Sequence, residues 1–579
     1  MAAAIARLLL AAAPPLAVSS AQLPARLAAL PADFEFGVAT AAYQIEGGAF
    51  EGGRGPSIWD TFAHTPGRTF GGDTGDVADD HYHRFREDVA LMKSLGVRRY
   101  RMSLSWPRLL PRGRGAALNE AGVAFYAALF EELRRAGIEA LVTLYHWDLP
   151  QALEDDYGGW LGRRVVDDFA DYADLCFAAF GDSVASWTTF NEALTFIGEG
   201  YGDGVHAPGR CSDRGRCASG DSEKEPLVAG HHVLLAHAAA AGRFRRRFGA
   251  SKTIGMVNCG WMVWPLRGRA HAGDAAAAES FMEAQWAWFL DPVVYGDYPD
   301  SLKARAGADL PAFSAAERAQ LRGSVDYLGV NYYTSRYVAA PDAAHTPTES
   351  AEGLPHMDGL YHVSTEDEHG LTIGPRAGSP WLYVAPRGIA DALKWLSARY
   401  PGLPLRVTEN GCAQPDALDA TLDGALDDAF RVDYLRDHVD AVAGAASDGV
   451  PVEAYYAWSL LDNYEWADGY SKRFGLVHVN FTTLARTPKR SARWYADVLS
   501  AHAARSASDL VVVPAPDQPG PPPPDAGKLA KVALGALALA ATVAALAWAC
   551  RPARKPGALF RRRNVELPEL SPLPYVEVF

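Results

Sequence analysis

Short apolar runs of six to eight residues recur along the chain, and longer stretches with a helical period separate them. The runs cover residues 34–40, 99–106, 140–147, 186–192, 253–260, 327–334, 405–410 and 454–459. Their length and near-continuous apolar character predict strands buried on both faces. Between them, apolar residues recur at three- and four-residue spacing over 85–95, 121–136, 163–180, 226–248, 275–289, 386–399, 429–443 and 491–500. That spacing predicts amphipathic helices. Eight strands alternating with helices favour an α/β fold, a (β/α)8 TIM barrel forming a single catalytic domain over residues 31–505. The alternative is an open doubly wound sheet. It is disfavoured because no Gly-x-Gly-x-x-Gly follows the first strand. Long inserts at 193–225 and 335–384 follow strands four and six, so in a barrel they stand on the catalytic rim.

The ends of the chain break this rhythm. Residues 1–21 read as a signal peptide, with Arg7, the apolar run from Leu8 to Val18, and the small residues Ser19, Ser20 and Ala21. A proline-rich stalk is expected over 508–527, culminating in Pro521 to Pro524. Residues 532–550 carry no charge and are about long enough to span a bilayer, so one C-terminal transmembrane helix is expected there. Arg551, Arg554, Lys555 and Arg561 to Arg563 follow and mark 551–579 as a cytoplasmic tail. Together these segments predict a single-pass type I membrane protein with its catalytic domain lumenal or extracellular. Asn480-Phe481-Thr482 is a sequon usable in that compartment.

Composition narrows the chemistry. A net charge of −14 argues against a nucleic-acid partner. Among the six cysteines no C-x-x-C pair occurs, and the tandem His81 and His83 lack further ligands at matching spacing, so no metal and no cofactor is expected. Cys211 and Cys217 stand in a loop-like run and form either a disulfide or two free thiols. Cys176, Cys259 and Cys412 lie in or beside apolar runs and are expected to be buried.

The candidate chemistry sits at strand ends. Glu192 closes the fourth strand run and Glu409 nears the end of the seventh. In a barrel both emerge at the C-terminal rim, where two carboxyl groups can cleave a glycosidic bond as acid and nucleophile. Arg101 on the second strand and Tyr333 near the end of the sixth can hydrogen-bond a carboxylate on the seventh. Gln44, His146, Trp147, Asn191, Asn331, Trp458, Glu465 and Trp466 collect at the same rim. Indole faces stack on pyranose rings, and the polar groups bond sugar hydroxyls.

Several ordered stretches carry a resemblance. They are Phe34 to Gly48, Tyr100 to Arg108, Tyr145 to Pro150, Thr189 to Glu192, Asn331 to Thr334, Thr408 to Gly411 and Trp458 to Trp466. Over about residues 31–500 the chain resembles glycoside hydrolase family 1, the β-glucosidase and lactase-type family. The resemblance implies Glu192 as acid/base and Glu409 as nucleophile. It implies Gln44, His146, Asn191, Glu465 and Trp466 as ligands of the glycone hydroxyls, with Trp458 as the floor. Arg101, Asn331 and Tyr333 would steady the nucleophile, and Phe474 would border the 6-hydroxyl. The stretch from His206 to Cys217 looks like the plant-type members and their loop disulfide, whereas a C-terminal span resembles the animal lactase-like proteins. The expected substrate is a β-glycoside with a non-phosphorylated glycone, glucose first, with galactose or fucose as alternatives. A Klotho-like glycan- or receptor-binding protein and a transglycosylase are the competing readings. The sequence leaves the aglycone and the oligomeric state open.

Overall fold

The computed structural model describes residues 22–348, 359–415 and 421–509. The expected signal peptide, transmembrane span and tail, and all of the expected stalk beyond Asp509, lie outside the described residues. No helix among the described residues is long and apolar enough to cross a membrane.

Each of the eight apolar runs supplies one strand of a closed parallel barrel. The strands are β1 (Glu35–Ala39), β2 (Arg99–Ser103), β3 (Glu139–Tyr145), β4 (Val184–Asn191), β5 (Thr253–Cys259), β6 (Tyr327–Asn331), β7 (Leu405–Asn410) and β8 (Val452–Trp458). Each pairs in parallel with the next, and β8 closes on β1, with Ala39 opposite Trp458.

Side-chain alternation explains the polar residues inside these strands. Arg99 and Arg101 are two apart on β2 and therefore share a face. Arg99 bonds Glu35 and Glu139 across β1 and β3 at the bottom of the barrel. Arg101 repeats the arrangement one layer higher, at the catalytic end, where it meets Glu409 on β7.

The helices around the barrel follow their apolar stripes. In Glu120–Ala136 the buried set is Gly122, Phe125, Tyr126, Leu129, Phe130 and Leu133, one face at helical spacing. Gly137 then takes a left-handed conformation and closes the helix, its N–H donating to the Arg134 carbonyl.

Some boundaries differ from those expected. The run 99–106 leaves the sheet at Ser103, because Trp106–Leu109 turns helical with Pro107 in its first turn, where a missing N–H costs nothing. The helix expected over 275–289 is broken: Ala272–Met282 passes through a π-helical turn, Glu283–Ala287, into Trp288–Tyr295. The last helix runs Arg490–Asp509, so the first two positions assigned to the stalk are its last two residues. Short helices such as Ile58–Ala63, Gln151–Tyr157 and Asp300–Ala306 span too few turns to show a period. Part of the second long insert pairs as a small sheet of Met262–Pro265, Ser335–Ala339 and His362–Ser364.

Asn480 is exposed in the turn joining Val477–Val479 to Arg486–Pro488, and its Oδ1 accepts from the backbone N–H groups of Thr482 and Thr483. Cys211 and Cys217 form a disulfide.

Candidate active site

Parallel register brings three strand ends together. Glu409 on β7 lies opposite Asn331 on β6, and Cys259 on β5 lies opposite the same asparagine. Asn331 is the hub. Its Nδ2 donates to Glu192 Oε1 at 2.5 Å and to Asn191 Oδ1 at 3.1 Å, and its Oδ1 accepts from Thr408 Oγ1 at 2.7 Å. Arg101 joins the other side. One Nη donates to Glu409 Oε1 and the other to Asn191 Oδ1, both at 2.5 Å. The Tyr333 hydroxyl donates to Glu409 Oε2 at 2.5 Å. Both glutamates are buried, and a hydrogen-bonded chain of three side chains, Asn331, Asn191 and Arg101, links them.

Their surroundings differ. Burial, reinforced by the charge of Glu409, pushes the Glu192 carboxyl up to about 8, so it keeps its proton near neutral pH. Glu409 instead receives a guanidinium on one oxygen and a hydroxyl on the other, the setting of a pure acceptor. Glu192 also sits at φ +49°, in the left-handed region, directly after β4. A non-glycine residue held there costs about 1–3 kcal/mol, a strain typical of functional sites.

The wall holding the neighbouring polar groups is similarly specific. Burial and the Arg101 charge push the His146 imidazole well below its usual range, so the ring is neutral. Its Nε2 accepts from Asn191 Nδ2 at 3.0 Å, which puts the ring proton on Nδ1, an atom without a protein partner. Gln44 is placed behind the cavity wall. Its Nε2 donates to Asn463 Oδ1, the Tyr464 carbonyl and Glu465 Oε2, and its Oε1 has no protein partner. Burial, followed by the charges of Asp468, Glu409 and Glu192, pushes the Glu465 carboxyl well up.

A cavity of about 340 Å³ opens onto these groups. His146, Trp147, Asn191, Glu192, Tyr333, Glu409, Trp458, Glu465, Trp466 and Phe474 line it, while Gln44, Arg101 and Asn331 stand behind. Trp466 is held by Trp147 (ring centroids 4.4 Å apart), Trp59 (4.7 Å) and a near-parallel Tyr43 (6.0 Å). The Trp147 indole N–H is already donated to the Asn191 carbonyl, so this residue offers a surface and no free donor.

Sequence reasoning missed several residues of the mouth: Thr195, Glu199, His206, Trp261, Trp381 and Asp468. Thr195 hydrogen-bonds Glu192 through its side chain, and Glu199 pairs with His206 at 2.7 Å. Trp261 and Trp381 follow the ends of β5 and β6, and that position was the available signal. Cys259, expected to be buried, is partly exposed on the cavity wall, because β5 ends there. Cys176 and Cys412 are buried.

The two tandem histidines weighed as metal ligands hydrogen-bond carboxylates instead. His81 bonds Asp88, while His83 bonds Asp80 and Glu51. Among the described residues no group of three or more His, Cys, Asp or Glu side chains is arranged to hold a metal.

Comparison with known proteins agrees with this geometry. The pattern of glycosyl hydrolase family 1 matches residues 27–504. Beta-glucosidase 24 of Oryza sativa subsp. japonica is 43% identical over 482 residues, covering 82% of this chain and 94% of the relative. Raucaffricine-O-beta-D-glucosidase of Rauvolfia serpentina is 43% identical over 488 residues, covering 80% and 90%. Among solved structures, a rice β-glucosidase in a covalent complex with Glc is 42% identical with a TM-score of 0.78, covering 82% of this chain and 99% of that one. A β-glucosidase from the fungus Humicola insolens in complex with glucose is 40% identical with a TM-score of 0.77, covering 83% and 99%.

Proposed function

Because the chain belongs to glycosyl hydrolase family 1, we propose that it is a retaining β-glucosidase releasing terminal, non-reducing β-D-glucosyl residues. The observation that carries this is the contrast within the carboxyl pair. Glu192 is protonated near neutral pH, and Glu409 is held as an acceptor by Arg101 and Tyr333.

The steps follow from that contrast. A Glu409 oxygen attacks the anomeric carbon as Glu192 gives its proton to the departing glycosidic oxygen, and the glycosyl is left as an ester on Glu409. Loss of the aglycone leaves Glu192 ionised. It then takes a proton from water, whose oxygen attacks the anomeric carbon and breaks the ester bond. Two inversions return the original β configuration. The covalent complex with Glc in the rice relative supports this route.

The glycone is non-phosphorylated. Among the described residues Glu192, Glu409, Glu465 and Asp468 stand on the cavity wall and no Lys or Arg does, so a phosphate dianion would find no cation there to pair with. On the cavity wall, His146 Nδ1–H is a donor left over for a sugar hydroxyl. With both carboxyls in place, no observation favours a binding-only role. A transglycosylase would use the same pair, and product analysis with an added alcohol separates it from a hydrolase.

The enzyme is placed on the extracytoplasmic side of a membrane as a single-pass type I protein. The apolar run 532–550 and the basic residues after it support this reading, as do the sequence of 1–21, the disulfide, and the exposed sequon at Asn480.

The test is substitution with a chromogenic aryl β-glucoside. Glu409→Ala lowers turnover on the order of 10⁴-fold or more with the fold intact. Near-normal hydrolysis by that variant would sink the assignment. Glu192→Ala slows aryl glucosides with poor leaving groups most, and equal losses across leaving groups would remove it from the acid role.

A further inference from the structure

One buried ammonium closes the base of the loop that carries the sugar-facing side chains. The loop leaves the barrel after β8, runs from Asp462 to Gly475, and brings Glu465, Trp466 and Phe474 to the cavity. Lys489 lies between the strand Arg486–Pro488 and the helix Arg490–Asp509 and is 2% exposed. Its Nζ donates to Asp462 Oδ1 at 2.6 Å and to the Gly475 carbonyl at 2.8 Å, so a single group grips both ends of the loop. Asp462 is fully buried and completes the clamp. Its Oδ1 also accepts from the Gly475 N–H at 3.0 Å, and its Oδ2 accepts from Arg473 Nη1 at 2.9 Å, the residue just before Phe474.

The placement is passed directly to the cavity. Asn463 follows Asp462, and its Oδ1 accepts from Gln44 Nε2 at 3.1 Å. The same Nε2 reaches Glu465 Oε2 at 3.3 Å. Lys489 itself does not line the cavity. Burial and the neighbouring Arg431 charge pull its amine down to about 8, so the fold keeps this cation at a cost. An apolar side chain would fill the space without that cost, but it could not tie two ends of a loop together.

We propose that Lys489, acting through Asp462, is a positioning residue that sets the register of the sugar-contacting loop and with it the enzyme's discrimination between a glucosyl glycone and its 4-epimeric and 6-deoxy relatives. The proposal rests on the reading of Glu465 as a glycone contact. The experiment therefore compares two variants of the full chain, Glu465→Gln and Lys489→Met, on p-nitrophenyl β-glucoside, β-galactoside and β-fucoside. Folding is checked by circular dichroism and thermal melting.

Glu465→Gln shifts the glucoside preference, and Lys489→Met lowers the ratio of glucoside to fucoside kcat/KM at least about threefold, chiefly through KM of the glucoside. A merely structural lysine would lower the three activities together and leave the ratio alone. Unchanged selectivity in folded Lys489→Met, with Glu465→Gln shifted, overturns the proposal. Unchanged selectivity in Glu465→Gln overturns the reading beneath it. If Lys489→Met does not fold, Asp462→Asn is measured in its place. Unchanged selectivity there, or failure of both variants to fold, overturns the proposal as well.

Discussion

Glu192 links catalysis to stability through one proton. Its carboxyl is raised from about 4.5 to about 8 by burial and by the charge of Glu409. As an acid it works only while protonated, so kcat/KM should fall as pH rises through about 8, and a pH–rate profile on an aryl glucoside measures this. The linkage has the same direction. The unfolded chain gives up this proton near 4.5 and the folded chain near 8, so the stability it contributes is complete below about 4.5 and is lost as pH rises through about 8. Glu192→Gln removes the titration. Its Tm should exceed that of the unmodified protein near pH 8 and converge with it near pH 4. Tyr333 offers a second test at this scale. Tyr333→Phe deletes the hydroxyl on Glu409 Oε2 and should cost roughly 10- to 100-fold in kcat by steady-state kinetics, with little change in Tm.

At the scale of elements, the strands were legible and the loops were not. A strand buried on both faces shows as an uninterrupted apolar run whatever it pairs with, and all eight runs became barrel strands. Helices of four or more turns, such as Glu120–Ala136, announced themselves by period. Leu129→Ala there should cost about 2–5 kcal/mol of stability, read by denaturant unfolding. Trp261 and Trp381 reach the cavity from segments whose local sequence has no period, so only their place after strand ends pointed to them. The loop holding Cys211 and Cys217 shows the same limit. The sequence left two free thiols as an alternative, and spatial proximity decided for a disulfide. Breaking it by Cys217→Ala should cost about 2 kcal/mol by the loop-entropy relation and lower Tm. Gly204 packs against that disulfide at φ +68°, where an added Cβ would lie 2.1 Å from Cys217 Sγ, so Gly204→Ala should destabilise the same loop.

For the whole molecule, the described body ends in the helix Arg490–Asp509, which packs back on the first described residues. Trp494 Nε1 donates to the Gln22 carbonyl, and the Arg505 guanidinium donates to the Leu27 carbonyl. A fragment of residues 22–510 therefore contains every residue of the cavity and should be soluble and fully active on aryl glucosides. The full chain should sediment with membranes and resist carbonate extraction. Full-chain protein recovered in the soluble fraction would remove the anchor from the proposal.

The sequence by itself determined the barrel, its eight strands, the two glutamates and most of the aromatic and amide residues around them. Those features depend on local periodicity and on residue type at strand ends, which are properties of the linear chain. Tertiary structure decided how each group is used. Asn331 became the hub between the two carboxyls because register placed β6 between β5 and β7. Gln44 went behind Glu465, and the Trp147 N–H was spent on the backbone. Asp462 and Lys489, 27 residues apart, became one clamp only when the chain returned to the barrel's edge. Hydrogen bonds, burial and the charge of one carboxyl on another depend on distances in space, and a sequence does not contain those distances.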